Sequence, residues 1–204
     1  GASRDELVTL RADLKLDRDL RNLRTAINGA RDGAERVKNI VEDLRRLSAE
    51  GSGELRPTDL VQTARISADW VERGSKSHVK ITFSGAEQCI AHARGGHIQQ
   101  VLMNLIQNAV DAMSGQDDAT LDITTRYEDT RAIIEVTDNG PGIPDSAKAK
   151  IFDPFFTTKE VGQGTGLGLS ISHKIADEHG GALELIPTDS GTCFRLTLNR
   201  GDQT

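Results

Sequence analysis

The chain has 204 residues, of which 36% are hydrophobic and 27% are charged, a composition typical of a folded rather than a disordered protein. A formal net charge of −6 gives no support to a surface that binds nucleic acid or an anionic membrane. No apolar run is long enough to span a membrane and no signal peptide is visible, so we predict a cytoplasmic fragment, whose parent protein is free to be membrane-attached. Cys89 and Cys193 lack metal-ligand spacing, which is typical of isolated buried thiols.

The first fifty residues carry a helical pattern. Between residues 20 and 44 apolar side chains recur every three or four positions, which predicts one long helix with a narrow seam facing partner helices. Gly29 and Gly33 lie inside this helix and each costs about 1 kcal/mol relative to alanine, so packing has to stabilise it. Residues 7–14 follow helical spacing in another register and predict a separate short helix, with a break near Leu16.

A glycine-rich segment, Gly51-Ser52-Gly53, ends the helical region and divides the chain into residues 1–52 and residues 53–204. The second part is predicted to contain helices over 58–73, 96–113 and 165–179 and strands over 79–83, 121–127, 131–138, 182–186 and 193–198. Strands joined by hairpins, with the helices grouped apart, predict an α+β fold arranged as a two-layer sandwich.

One predicted helix carries a stripe of amides. Gln100, Asn104 and Asn108 lie four residues apart beside the apolar face, and Asp111 follows one turn later. Amide oxygens are hard ligands suited to a Mg²⁺ ion that keeps its waters and holds nucleotide phosphates. For this helix alone, a polar face in contact with water is the competing interpretation.

An acidic residue, Asp138, ends a predicted strand and meets a glycine turn. It shares its face with the apolar residues at 132, 134 and 136, so its carboxylate points towards a buried layer and needs partners. An adenine amine would satisfy it, and Gly140 and Gly142 would let the backbone pass close to a flat ring. An ordinary turn at Asp-Asn-Gly is the alternative.

A second glycine cluster alternates from Gly162 to Gly168 into the start of a helix, where free N–H groups and the helix dipole suit a triphosphate. It is neither a Walker A loop nor a Rossmann fingerprint. A flexible linker is less favoured because Leu167 and Leu169 tie the segment to a core. The loop before it concentrates phenylalanines in residues 152–156, which suits a docking surface, a lid anchor or simple core anchoring. Lys159 is a candidate for contacting a terminal phosphate.

Taken in this order, the segments resemble the ATP-binding domain of sensor histidine kinases, within the superfamily of DNA gyrase, the large heat-shock chaperone and mismatch-repair ATPases. Residues 104–109 match the asparagine box and 138–143 the first glycine box, while 152–156 match the phenylalanine box and 164–169 the second glycine box. The resemblance covers about residues 57–200. It implies a Bergerat-type fold, in which a mixed sheet carries its helices on one face, with ATP and Mg²⁺ as ligands.

The resemblance also implies individual roles. Asn108 would hold Mg²⁺, Asp138 would bind the adenine amine, Thr192 would support that contact through water, and residues 142–168 would form a lid. The catalytic candidates are Asn104, Asn108 and Lys159. The complete set of ATP-binding candidates is Asn104, Asn108, Asp111, Asp138, Gly140, Gly142, Ile143, Lys159, Gly164, Thr165, Gly166, Leu167, Gly168, Leu169 and Thr192.

Residues 33–44 resemble the second helix of the kinases' dimerisation hairpin, so residues 1–52 are predicted to be a partial dimerisation region of a homodimeric parent. The family's first helix carries the phosphorylated histidine, but this sequence has no histidine before His78. We therefore predict no phosphoacceptor in this chain. The implied reaction is transfer of the ATP γ-phosphoryl group to a histidine elsewhere, and then to an aspartate of a response-regulator receiver domain.

Three alternatives stay open. A gyrase-type or chaperone-type ATPase would carry a glutamate at the position of Asn104 to activate water, and asparagine is a poor base. A serine kinase of the anti-sigma-factor type shares the pocket, but that class is compact and lacks a long heptad helix. A degenerate nucleotide-binding scaffold is the non-enzymatic alternative, and the intact glycines and asparagines disfavour it.

Overall fold

The computed structural model describes residues 3, 16–48, 54–75, 78–159 and 164–201. The chain divides into two compact units, of which the first comprises residues 1–46 and 159–165 and the second residues 47–158 and 166–204. The short helix predicted over residues 7–14 lies outside the described residues.

Most of the first unit is a single helix, α1 (Leu16–Ser48). The predicted long helix is confirmed, and it begins at Leu16, where a break was expected. The apolar seam is exposed along it, since the exposed fractions lie between 47% and 61% for Leu20, Leu23, Ile27, Val37 and Val41. Among the described residues, no helix has both the length and the apolar character needed to cross a membrane.

The described residues of the second unit form seven strands, which are Arg56–Asp59 (β1), Lys80–Gly85 (β2), Ile90–Ala93 (β3), Thr120–Glu128 (β4), Arg131–Asp138 (β5), Ala182–Ile186 (β6) and Thr192–Asn199 (β7). Five of them form one sheet in the order β2-β4-β5-β7-β6. β2 and β4 are parallel and the other neighbours are antiparallel, so this sheet is mixed. β1 and β3 pair separately as a small antiparallel sheet.

The helices of this unit are α2 (Leu60–Gly74), α3 (Gly95–Ala112), the single turn α4 (Asp145–Lys148) and α5 (Gly168–Glu178). α3 packs against both α2 and α5, and its buried leucines share one apolar core with the sheet residues Ile134 and Leu196. The opposite sheet face is polar, because Glu135 forms ion pairs with Arg126 at 2.8 Å and with Arg195 at 2.7 Å. One helix-covered face and one polar face confirm the predicted two-layer α+β sandwich.

α2 begins where a side chain caps it. The Asp59 carboxylate accepts hydrogen bonds from the Val61 N–H at 3.0 Å and from the Cys89 N–H at 3.3 Å. The first bond satisfies a donor that the helix leaves unpaired, and the second ties the helix start to the segment that leads into β3.

The sequence prediction missed β1 and β3 and placed the start of α5 three residues too early. Both strands have only four residues, too few to show an alternating pattern, and each depends on a partner more than thirty residues away. α5 begins at Gly168 because Gly166 has a φ of +68°, which an α-helix does not accommodate.

Candidate functional site

Asp138 lies at the end of β5, a central strand of the sheet, with Leu121 of β4 and Thr192 of β7 as its register partners. Only 6% of the residue is exposed, as the sequence pattern predicted. Its Oδ1 atom accepts hydrogen bonds from the Gly140 N–H at 2.9 Å and from the Thr192 N–H at 3.2 Å. The carboxylate is therefore held by the turn that follows β5 and by the start of β7.

Burial raises the pKa of the Asp138 carboxyl above its usual value, and hydrogen bonds from the Gly140 and Thr192 backbone and from the Thr192 hydroxyl oppose that rise. The charged form is therefore incompletely compensated by the protein itself. A ligand that donates a hydrogen bond to this carboxylate would stabilise it, and an exocyclic amine is such a donor.

Three glycines pack closely against Asp138 and against one another. A Cβ added to Gly140 would lie 2.9 Å from the Asp138 Oδ1 atom, and one added to Gly142, where φ is +74°, would lie 3.0 Å from the Gly191 carbonyl oxygen. Gly191 has a φ of +72°, and an added Cβ would overlap the Asp138 carbonyl. Gly191 therefore belongs to the site, although it was not among the predicted site residues.

The predicted amide stripe meets the start of α5. The Asn104 side chain donates to the Ser172 hydroxyl at 3.0 Å, and the Asn108 amide donates to the Asn104 Oδ1 atom at 3.5 Å. A Cβ added to Gly168 would overlap the Asn104 amide, so the asparagine box and the second glycine box are in contact. Ser172, which is 1% exposed, was not predicted, because a lone serine on a helix carries no recognisable pattern.

The phenylalanine segment divides into anchors and one exposed ring. Phe152 packs against His173 with ring centroids 4.8 Å apart and against Phe194 at 6.4 Å, so it anchors the loop. Phe155 is 66% exposed and has a φ of +69°, and its N–H donates to the Gly166 carbonyl at 2.9 Å. A Cβ on Gly166 would overlap the Phe155 backbone, which explains the glycine at that position.

The remaining predicted residues have mixed surroundings. Asp111 is exposed and accepts a hydrogen bond from Gln107 at 2.6 Å on the surface of α3. Leu167 is buried, and Ile143 and Leu169 pack partly buried against the core. Three predicted residues belong to the first unit, so their place at the nucleotide site stays a prediction; they are Lys159, Gly164 and Thr165. Gly162 lies outside the described residues.

The histidines lie in the second unit. His179 is 3% exposed, and one neutral tautomer satisfies both its bonds, since Nδ1 donates to the Ile175 carbonyl at 2.7 Å and Nε2 accepts from the Arg94 N–H at 3.1 Å. His97 packs edge-on against it at 5.5 Å. Burial, followed by the nearby His179 and Arg94, lowers the pKa of His97. These two rings are part of the packing between α3 and α5.

A cavity of about 730 Å³ lies at the end of α2, beside the starts of β2 and β4. It is lined by residues 78–80 and 117–120 together with Glu72 and Ser75. None of the predicted site residues lines it, so it is distinct from the candidate nucleotide site.

A family model described as histidine kinase-, DNA gyrase B- and HSP90-like ATPase matches residues 94–202, more than half of the chain. The sensor protein FixL of Bradyrhizobium diazoefficiens is 35% identical over 185 residues, covering 88% of this chain and 36% of FixL. The C4-dicarboxylate transport sensor protein DctB of Rhizobium meliloti is 32% identical over 176 residues, covering 81% of this chain and 27% of DctB.

Among solved structures, the catalytic domain of the histidine kinase ThkA matches with 36% sequence identity and a TM-score of 0.65, covering 72% of this chain and 97% of that domain. Full-length ShkA in complex with AMPPNP matches with 26% identity and a TM-score of 0.67, covering 90% of this chain and 40% of ShkA. The chain thus spans well under half the length of the FixL and DctB sensors, but nearly all of the ThkA domain.

Proposed function

This chain belongs to the histidine kinase-, DNA gyrase B- and HSP90-like ATPase family as the ATP-binding catalytic portion of a sensor histidine kinase, and we propose that it transfers the γ-phosphoryl group of ATP to a histidine outside its own sequence. A nitrogen of the acceptor imidazole attacks the γ-phosphorus, and ADP leaves with the bridging oxygen. The acceptor then passes the phosphoryl group to an aspartate of a response-regulator receiver domain.

The single observation that carries this proposal is the buried Asp138 carboxylate at the end of β5. Its Oδ1 atom already accepts two backbone N–H groups, so the amine of adenine is assigned to the other oxygen. Thr192 is 6% exposed, and its hydroxyl and N–H both bond the same carboxylate, which supports its predicted role in reading the base.

The phosphate end of the nucleotide is assigned to the asparagine and second glycine boxes, which lie in contact through Asn104 and Gly168. Asn108 would hold Mg²⁺, which suits the hard oxygen of its amide, and the bound ion would neutralise phosphate charge. Positioning and charge neutralisation are the main tasks of the protein in phosphoryl transfer, since little covalent chemistry falls to it. Lys159 and the N–H groups near Gly164 and Thr165 are proposed to contribute to the same end.

Residues 1–52 are proposed to be a partial dimerisation region and residues 53–204 the catalytic domain. The exposed seam of α1 supports a homodimer, because an apolar stripe with heptad spacing is stabilised by burial against a partner helix. We propose that the acceptor histidine lies on a helix that precedes α1 in the parent protein. This chain is therefore proposed to lack autophosphorylation at the usual position.

Replacing Ile27 in the centre of the exposed seam with glutamate is expected to weaken self-association at least about tenfold, or about 1.4 kcal/mol, because a charge would be buried in the helix interface. Light scattering over a concentration series measures the dissociation constant. Thr25→Glu adds the same charge to the opposite side of α1 and is expected to leave association unchanged. Equal behaviour of both variants contradicts the assignment of this seam to the dimer interface.

Phosphoryl transfer is tested with γ-phosphoryl-labelled ATP and a chimera in which the histidine-bearing helix of a similar sensor kinase precedes α1. We expect acid-labile label on the chimera, none on the present chain, and none on the chimera with Asn108→Ala. Calorimetry with ATP and Mg²⁺ verifies that the present chain still binds nucleotide.

Other outcomes of this experiment identify the alternatives. Fast ATP hydrolysis without an acceptor would indicate a gyrase-type ATPase, although asparagine at position 104 is a poor base for activating water. Label on serine of an added protein would indicate a serine kinase of the anti-sigma-factor type. Absence of ATP binding would indicate a degenerate scaffold.

A further inference from the structure

Asn139 lies between the proposed adenine-reading residue, Asp138, and the first glycine of the turn. Both ends of its side-chain amide are bonded to the segment that joins α3 to β4 or to the first residue of β4. Its Oδ1 atom accepts from the Thr120 N–H at 2.9 Å and from the Gln116 side chain at 3.0 Å, and its Nδ2 atom donates to the Asp118 carbonyl at 2.7 Å. This residue therefore fastens the turn after β5 to a neighbouring loop.

The backbone of Asn139 is also bonded to Thr120 and Gln116. The Asn139 N–H donates to the Thr120 carbonyl at 3.2 Å, and the Asn139 carbonyl accepts from the Gln116 side chain at 3.2 Å. The Gln116 N–H in turn donates to the Met113 carbonyl at the end of α3 at 3.0 Å. Through Gln116, the turn after β5 is thus linked to the helix that carries the asparagine box.

We infer that Asn139 and Gln116 form a positioning pair that sets the base selectivity of the nucleotide site by holding the Asp138 carboxylate in register with the exocyclic amine. The inference rests on the proposed function, in which Asp138 reads adenine. Neither side chain is assigned a contact with ATP. Both act through the turn that begins directly at Asp138.

The bond between the Asp138 carboxylate and the exocyclic amine depends on the direction of the carboxylate. A hydrogen bond weakens steeply as its angle departs from linear, so a small rotation of the carboxylate lowers its affinity for the amine. Removing the Asn139 side chain leaves the Thr120 N–H and the Asp118 carbonyl without their present partner, and the turn loses its attachment. The proposed phosphate contacts lie on other segments, at Asn108 and around Gly168, and keep their own supports.

Substitutions of Asn139 and Gln116 should therefore weaken recognition of the base and not binding of the triphosphate. We propose calorimetric titrations of the full chain with Mg·ATP and with Mg·purine riboside triphosphate, which lacks only the exocyclic amine. The preference for ATP, as the ratio of the two dissociation constants, is expected to fall about fivefold in Asn139→Ala and about twofold in Gln116→Ala, in keeping with the loss of neutral hydrogen bonds.

Asn199 offers a matched control. Its side-chain oxygen accepts from Arg131 at 2.6 Å at the opposite end of the β5–β7 pair, so Asn199→Ala removes an asparagine side-chain hydrogen bond far from Asp138. The preference for ATP should be unchanged in this variant. The melting temperature of each variant shows whether a change in the preference for ATP merely accompanies a general loss of stability.

The inference is overturned if Asn139→Ala weakens both nucleotides equally or leaves their ratio unchanged. If Asn139→Ala does not fold, Gln116→Ala decides the matter, because it leaves the Asn139 bonds to Asp118 and Thr120 in place, and an unchanged ratio again overturns the inference. If the unsubstituted chain binds both nucleotides equally, Asp138 does not have its proposed role, and the inference is overturned as well. A fall in the ratio confined to the Asn139 and Gln116 variants supports it.

Discussion

Replacing Asp138 with asparagine is expected to weaken ATP binding at least about 30-fold, or about 2 kcal/mol, the range of a hydrogen bond to a charged group. The asparagine oxygen can still accept from the Gly140 and Thr192 N–H groups, but its NH₂ group would face the amine of adenine, donor against donor. Because burial raises the pKa of Asp138, its charged form destabilises the folded state at neutral pH. The neutral asparagine removes that penalty, so the variant should be at least as stable as the parent chain.

The measurement pairs calorimetric ATP titration with chemical denaturation of the same protein. Asp122→Asn serves as the control, because it makes the same chemical change at an exposed residue of β4, where the carboxylate is bonded to the Thr82 hydroxyl and lies outside the predicted nucleotide site and lid. The control should bind ATP like the parent chain. Retention of ATP affinity in a folded Asp138→Asn variant would falsify the assignment of Asp138 to the adenine base.

Replacing Gly191 with alanine is expected to destabilise the second unit by at least about 3 kcal/mol, the sum of a left-handed backbone conformation and a forced overlap. The added Cβ would meet the backbone carbonyl of Asp138, which cannot move without breaking the end of the β5–β7 pairing. The free energy of unfolding from denaturant titration measures this loss. Nucleotide affinity should fall with it, since the same displacement moves the Asp138 carboxylate.

Substitutions at two other glycines separate the cost of the left-handed conformation from the cost of the overlap. Gly115 has a φ of +83° with open space around it, so Gly115→Ala should cost only about 1 kcal/mol for the left-handed conformation. Gly96 lies in α3 with open space and no positive φ, so Gly96→Ala should stabilise the chain by up to about 1 kcal/mol. If Gly191→Ala lowers the free energy of unfolding no more than Gly115→Ala does, the overlap is relieved without strain.

The central elements of the fold were predictable because their patterns are local. β5 and β6 match the predicted bounds, and α3 lies within one residue of them, since alternation and helical spacing persist over whole elements. β1 and β3 were not predictable, because four residues carry little periodicity and their pairing joins distant segments. The start of α5 was misplaced because the left-handed conformation of Gly166 depends on its contact with Phe155.

The candidate site shows the same division. The carboxylate, the paired amides and the two glycine clusters were recognisable, since each is a residue type that suits one part of a nucleotide at a characteristic spacing. Ser172, Gly191 and the partners of Asn139 were missed, because they support the site from other elements. The role of such a residue depends on its contacts with residues of other elements, and sequence spacing within one segment contains no information about those contacts.

The sequence by itself determined the two-layer class, the apolar seam of α1 and the chemical inventory of the site, because periodicity and side-chain chemistry are properties of single segments. Only the tertiary structure decided which residues of other segments each functional side chain contacts. The hydrogen bond from Thr192 to Asp138, the contact of Asn104 with Ser172 and the attachment of Asn139 all arise where segments far apart in the chain come together. The physical reason is that hydrogen-bond partners and solvent exclusion depend on distance in space, and chain connectivity sets those distances only through the completed fold.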